Sequence, residues 1–243
     1  MFESTLPFGA PDLMRVSAFR RYLDELVVDG DAASTRLSSL SPSLMADLLR
    51  FEQGGRQTEL LEVLAASTRH RCALVIHLQS DDRVLPVTIF PVEQLAHCPV
   101  PMAEFLALRL PDLVVMHVEP ALLRPPGDRE RLLVADPHLY VPLRPVTWEL
   151  ALRGARGDLL PEIPAQAAYR IPPGTNLAPL DLHGSIGAAV ARMRRETTNL
   201  KDMAAWPAFD RERAMRLLNA LYLQAALMAT RTHPAATNDG WAG

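Results

Sequence analysis

The sequence predicts an α+β protein: helices packed on a small, mainly antiparallel sheet, followed by a small three-helix, winged-helix-like domain. Three observations lead there. Apolar residues recur at helical spacing near both ends of the chain, the middle switches to short aliphatic and β-branched runs between polar turns, and residues 157–184 hold Pro161, Pro164, Pro172, Pro173 and Pro179. A helix wants an apolar stripe every three to four residues, a strand wants β-branched residues between turns, and proline brings no N–H to either. The proline-rich interval is thus expected to be neither a continuous helix nor a central strand. The organisation that follows is an α+β domain over 1–156, a Pro-rich connection over 157–184, and a helical, helix-turn-helix-like domain over 185–243 with a flexible tail.

In chain order, residues 1–12 contain Pro7, Gly9 and Pro11 and read as an arm that docks, if at all, by Phe2, Leu6 and Phe8. Val16, Phe19, Leu23 and Leu26 form one stripe of a helix over 16–27, ended by Asp29-Gly30-Asp31; residues 32–40 are Ser-rich and read as a loop. Ser41-Pro42 is a helix start, with Ser as N-cap and Pro at the first helical position, and Gly54-Gly55 is its stop. A third helix begins at Thr58 with Leu60, Leu61, Leu64 and Ala65. From Cys72 the pattern is extended: strands over 72–78 and 84–90 flank the turn Ser80-Asp81-Asp82, a link too short for a crossover helix, so the two are antiparallel. A short element holds Val92, Leu95 and Cys98, a helical turn or two covers 102–108, and 113–118 is another strand. Residues 124–131 read as an exposed loop, 132–134 and 139–141 as short extended pieces, and 145–152 as a helix bringing Trp148, Leu150 and Ala151 inward. After the prolines, Gly184-Ser185 opens a helix with Ile186, Ala189, Val190 and Met193 on one face. A short helix over 199–206, a turn at Pro207, the N-cap Asp210 and a long helix over 211–230 complete a helix-turn-helix outline.

The totals exclude several function classes. A chain of 243 residues, 49% hydrophobic and 22% charged, is globular; no apolar run reaches the roughly 20 residues that span a bilayer, and the start Met1-Phe-Glu-Ser lacks a basic region followed by an apolar core. A cytoplasmic protein without membrane contact is expected. Two cysteines, Cys72 and Cys98, fit reduced thiols, not a disulfide framework. The net charge of -3 is uneven: from His183 onward eight basic residues face five acidic ones, a local +3 against -6 for the rest.

No catalytic constellation stands out. His77 and His117 sit in strands, and His97, Cys98 or Cys72 could join them only if strands stacked suitably; no His-Glu-x-x-His phrase occurs, and single histidines at a core edge are the preferred reading. His97 and Cys98 are adjacent, so on an extended segment they point to opposite faces and do not form an activated thiol. Neither Gly-x-Ser-x-Gly nor a phosphate-cradling glycine motif is present. No catalytic residue, metal or cofactor is therefore expected. The arginines Arg192, Arg194, Arg195, Arg211, Arg213 and Arg216 are candidate DNA contacts if the last helix enters a major groove, while a solvated helix face is the preferred reading because Asp210 and Glu212 lie among them and no β-wing is expected. That helix carries a second apolar stripe, Met215, Tyr222, Ala226 and Ala229, which reads as an interaction surface for the N-terminal domain or a partner subunit.

The segment 60–97 resembles the PATAN-type domains of bacterial signalling proteins. The resemblance rests on a helix Leu-Leu-Glu-Val-Leu-Ala, a strand Ala-Leu-Val-Ile-His-Leu, a polar turn, a strand Val-Thr-Ile-Phe ending at Phe90, and a return Glu-Gln-Leu-Ala-His ending at His97. It covers about a fifth of the chain and implies an interaction module joined to helical or winged-helix segments, and no functional residue is carried over from it. The expected function is a non-catalytic regulatory or adaptor protein acting through protein contacts as a homodimer; the alternative is a DNA-binding regulator using residues 185–230.

Overall fold

The structure, a computed structural model, describes residues 13–28, 41–53 and 59–236, and these form an α+β protein with antiparallel sheets. The expectations for residues 1–12, 29–40 and Gly54-Gly55 lie outside the described residues. The chain divides into two compact units, one up to Leu143 and one from Arg144. The expected boundary after residue 156 thus moves upstream, because the helix carrying Trp148 belongs to the second unit.

In the first unit, helices α1 (Val16–Val28), α2 (Pro42–Gln53) and α3 (Leu60–His70) precede a five-stranded sheet. Its strands are β1 (Leu74–Ser80), β2 (Arg83–Phe90), β3 (Leu95–His97), β4 (Val114–Pro120) and β5 (Tyr140–Pro142), in the spatial order β4-β1-β2-β3-β5, every pair antiparallel. A helix α4 (Met102–Ala107) lies between β3 and β4. Alternation along β1 puts Leu74, Ile76 and Leu78 on the face shared by Val87 and Ile89 of β2, and all five are buried. The opposite face carries Val75 and His77, with Glu119 and His117 as their respective partners on β4. Pro86 falls opposite His77 in the β1–β2 pairing. Residue Arg71 ends α3 with φ 52°, its N–H bonding the Thr68 carbonyl and that of Cys72 the Ser67 carbonyl. This double bond is the Schellman stop, usually marked by glycine.

The second unit starts with α5 (Leu143–Arg153), whose first residue closes the first unit, and continues through β6 (Ala168–Arg170), α6 (Gly184–Arg195), β7 (Thr198–Asn199), α7 (Leu200–Ala204), α8 (Arg211–Leu223) and β8 (Met228–Thr230). Its sheet has the order β7-β6-β8 and is antiparallel. The Pro-rich interval is therefore not a connection: β6, inside it, is the central strand. Pro164 and Pro172 stand outside the three-residue strand, so every ladder position keeps its N–H. Tyr169 of β6 is fully buried and its hydroxyl donates to the Pro164 carbonyl at 2.5 Å, which ties the proline segment back onto the strand. In α6, Gly187 is required because a Cβ there would stand 2.1 Å from the Leu182 carbonyl oxygen.

The long helix expected over 211–230 ends at Leu223. Ala225 takes φ 52°, its N–H bonding the Tyr222 carbonyl and that of Ala226 the Leu221 carbonyl, a second Schellman stop without glycine. The chain released by this stop returns as β8 beside β6, an extended strand where none was expected. Of the two short extended pieces expected, the first is replaced by a 3-10 turn over residues 131–133 and the second is a strand, β5.

Because an alanine in the left-handed region is strained and glycine is not, Ala225→Gly is expected to stabilise the second unit by roughly 0.5–1 kcal/mol, read as a rise in the midpoint of urea unfolding.

Candidate interaction surface

Helix α8 is the centre of the second unit. Ala214, Met215, Leu217, Leu218, Asn219, Ala220 and Leu221 are all buried, so after its first turn no broad face is left to solvent. Asp210 caps it, accepting from the Arg213 N–H at 2.7 Å. Its polar side, Glu212, Arg216 and Asn219, recurs at i, i+4 and i+7 and is covered by residues 152–160. Arg216 donates to the carbonyls of Leu152 and Gly154 at 3.3 and 2.5 Å and pairs with Glu212 at 2.7 Å. The Asn219 amide accepts from the Leu160 N–H at 2.9 Å and donates to the Asp158 carbonyl at 2.8 Å. A Cβ on Gly157 would meet the Glu212 side chain at 3.1 Å, so the segment lies close against the helix. At the helix end, Gln224 accepts from Arg144 at 2.9 Å and donates to the Thr147 hydroxyl at 3.0 Å.

This packing disperses the expected apolar stripe. Met215 and Ala226 are buried, Tyr222 is half-buried, and Ala229 is exposed on β8, beyond the helix. The four do not share one helical face, because the turn at Ala225 breaks the spacing. Most of the six arginines also have local work. Arg192 pairs with Glu196 and lies 4.7 Å from the Trp206 ring centroid, and Arg194 donates to the Thr175 carbonyl at 3.1 Å. Arg213 donates to the Ala208 carbonyl at 3.0 Å and to the Ser185 hydroxyl at 2.9 Å, over the ring of Phe209. Arg216 is committed as above, and Arg195 and Arg211 are exposed.

The histidines and cysteines do not converge. His77 and His117 are cross-strand partners with ring centroids 5.9 Å apart, whereas His97 lies on β3 opposite Thr88 and Tyr140. Among the described residues, no group of three or more His, Cys, Asp or Glu side chains is arranged to hold a metal ion. His97 is buried with neither ring nitrogen hydrogen-bonded within the structure, and burial pushes it down to about 4. Burial also pushes the Cys98 thiol up to about 11 and raises Cys72, the reverse of what a thiolate nucleophile needs.

A surface that the sequence did not single out lies in the first unit, on residues 121–139 between β4 and β5. Leu132 is 92% exposed, Leu122 52% and Leu133 38%. The loop is held in one shape by several bonds. The Arg124 N–H donates to the Leu133 carbonyl at 2.9 Å, Arg124 pairs with Glu130 at 3.4 Å, and the Glu130 N–H donates to Asp128 at 2.9 Å. The Tyr140 hydroxyl donates to the Arg124 carbonyl at 2.7 Å and accepts from the Ala135 N–H at 3.0 Å. The only sequence signal for it is a pair of leucine doublets, Leu122-Leu123 and Leu132-Leu133, around a polar Pro/Gly stretch.

No protein-family model, curated protein or solved structure matches the chain.

Truncating Asn219 leaves the buried Leu160 N–H without an acceptor. Asn219→Ala is expected to cost about 2–3 kcal/mol in urea unfolding and to speed exchange of the Leu160 amide, while a surface change such as Arg195→Ala leaves the midpoint unmoved.

Proposed function

We propose that this chain is a non-catalytic regulatory or adaptor protein that acts through protein contacts, as a homodimer, with the leucine-bearing loop as its contact surface. The observation that carries this reading is Leu132, nearly fully exposed on a loop fixed by backbone and side-chain hydrogen bonds. Burying a leucine is worth roughly 1.5–3 kcal/mol, and a loop already ordered loses little entropy when it binds. The PATAN-like pattern over 60–97 fits a signalling role of this kind. No helix among the described residues is long and apolar enough to cross a membrane.

The second reading, a DNA-binding regulator, draws support from the succession of three helices, α6, α7 and α8, in the second unit and from the exposed Arg195. It ranks second because Arg216 and Asn219, on the polar side of the helix that would enter a groove, already hold residues 152–160.

Light scattering on a sizing column tests the first reading: the wild type is expected to run as a dimer at micromolar concentration and Leu132→Asp as a folded monomer. A wild-type monomer at high micromolar concentration would remove the dimer. For the second reading, duplex DNA is titrated at low salt, where phosphate attraction is largest. Binding that weakens in Arg195→Ala and falls steeply with added salt is the expected signature, and absence of binding at low salt ends that reading.

A further inference from the structure

Helix α1 is attached to the first unit in a way that differs at its two ends. Its start is pinned by backbone: the Val16 N–H donates to the Asp82 carbonyl at 3.0 Å, the Val84 N–H to the Met14 carbonyl at 2.9 Å, and Arg83 to the Leu13 carbonyl at 2.6 Å. Beyond that pin it is held by a small apolar cluster, in which Val16 and Phe19 meet Val84, with Met14, Leu23 and Met116 around them. The Phe19 ring lies directly on the imidazole of His77, with centroids 4.7 Å apart. His77 is set on β1 with its side chain 14% exposed, and its buried Nδ1 has no hydrogen-bond partner within the structure.

We propose that α1 is a proton-released latch, docked while the His77 imidazole is neutral and swung away on its N-terminal pin when that ring takes up a proton. An imidazolium needs water, and the ring can be hydrated where it stands only if Phe19 leaves. The groups facing it oppose each other. On β4, His117 is a second basic ring at 5.9 Å, and Glu119 places a carboxylate oxygen 4.0 Å from Nε2. On β2 the residue opposite is Pro86, and on α1 the neighbour of Phe19 is the Tyr22 ring at 6.0 Å. The exposed Arg15–Asp82 pair at 3.9 Å belongs to the pin and contributes little. Burial, followed by repulsion from His117, lowers His77 from 6.5 to about 4, so desolvation outweighs the opposing hydrogen bond to the His117 backbone. The sign follows: docking is at full strength above the ordinary histidine value and is lost as pH falls toward 4. Between pH 7.5 and 5 the docked-to-released ratio falls about thirty-fold.

Native-state hydrogen exchange on the full chain tests this, with protection factors for residues 19–23 of α1 and residues 61–66 of α3 measured from pH 7.5 to 5. The latch requires that α1 open while α3 stays more protected at every pH, that α1 protection fall about thirty-fold over the range, and that His77→Phe and His77→Gln each flatten the fall. Equal protection of α1 and α3 throughout, no fall with pH, or an unchanged fall in both His77 variants overturns the proposal.

Discussion

A helix buried on nearly every side must have its polar atoms satisfied by protein, and α8 imposes that constraint on the whole second unit. Its apolar positions require a core around them, and its polar stripe requires backbone carbonyls and an N–H at fixed heights along the helix. Residues 152–160 supply them to Arg216 and Asn219, and the first turns of α5 supply them to Gln224. The domain boundary therefore falls where it does, with α5 and the proline-rich interval inside the second unit.

The same constraint bears on the DNA-reading alternative. A helix-turn-helix places side chains from the start of its second helix in a groove, which requires that side to be free. Here Arg213, exposed at the start of α8, reaches Ser185 at the head of α6, and the polar side beyond it is held through Arg216 and Asn219. These bonds locate α6 and the 152–160 segment relative to α8. The arginines that looked like a basic surface in sequence are largely bracing, each using carbonyls or aromatic faces within a few residues or across the unit.

Much of this fold was legible in the sequence because the relevant signals are local. Ser41-Pro42 marks the start of α2, Asp210 the start of α8, and the turn at 80–82 the antiparallel hairpin of β1 and β2. What was not legible depends on two kinds of event. One is a left-handed residue that is not glycine: Ala225 ends α8 as a Schellman turn, with nothing in its identity to announce it, and so β8 was read as more helix. The other is a long-range bond. Nothing in the sequence around Asn219 shows that the Leu160 N–H, 59 positions away, donates to its side-chain oxygen. The leucine loop was hidden for a related reason, since exposure of Leu132 follows from Tyr140 fixing Arg124, which the spacing of the residues does not encode.

Buried polar side chains are met in two ways. Asn219 and Gln224 have backbone or side-chain partners, so each fixes a neighbour in place. His77 and His97 carry buried ring nitrogens without such partners, and their neutrality takes the place of a hydrogen bond. A satisfied amide stabilises over the whole pH range in which the chain is folded. A neutral buried imidazole stabilises only above the pH at which it would rather be charged. α8 is secured by hydrogen bonds along its length, whereas α1, pinned by backbone at its start, lays Phe19 on the imidazole of His77.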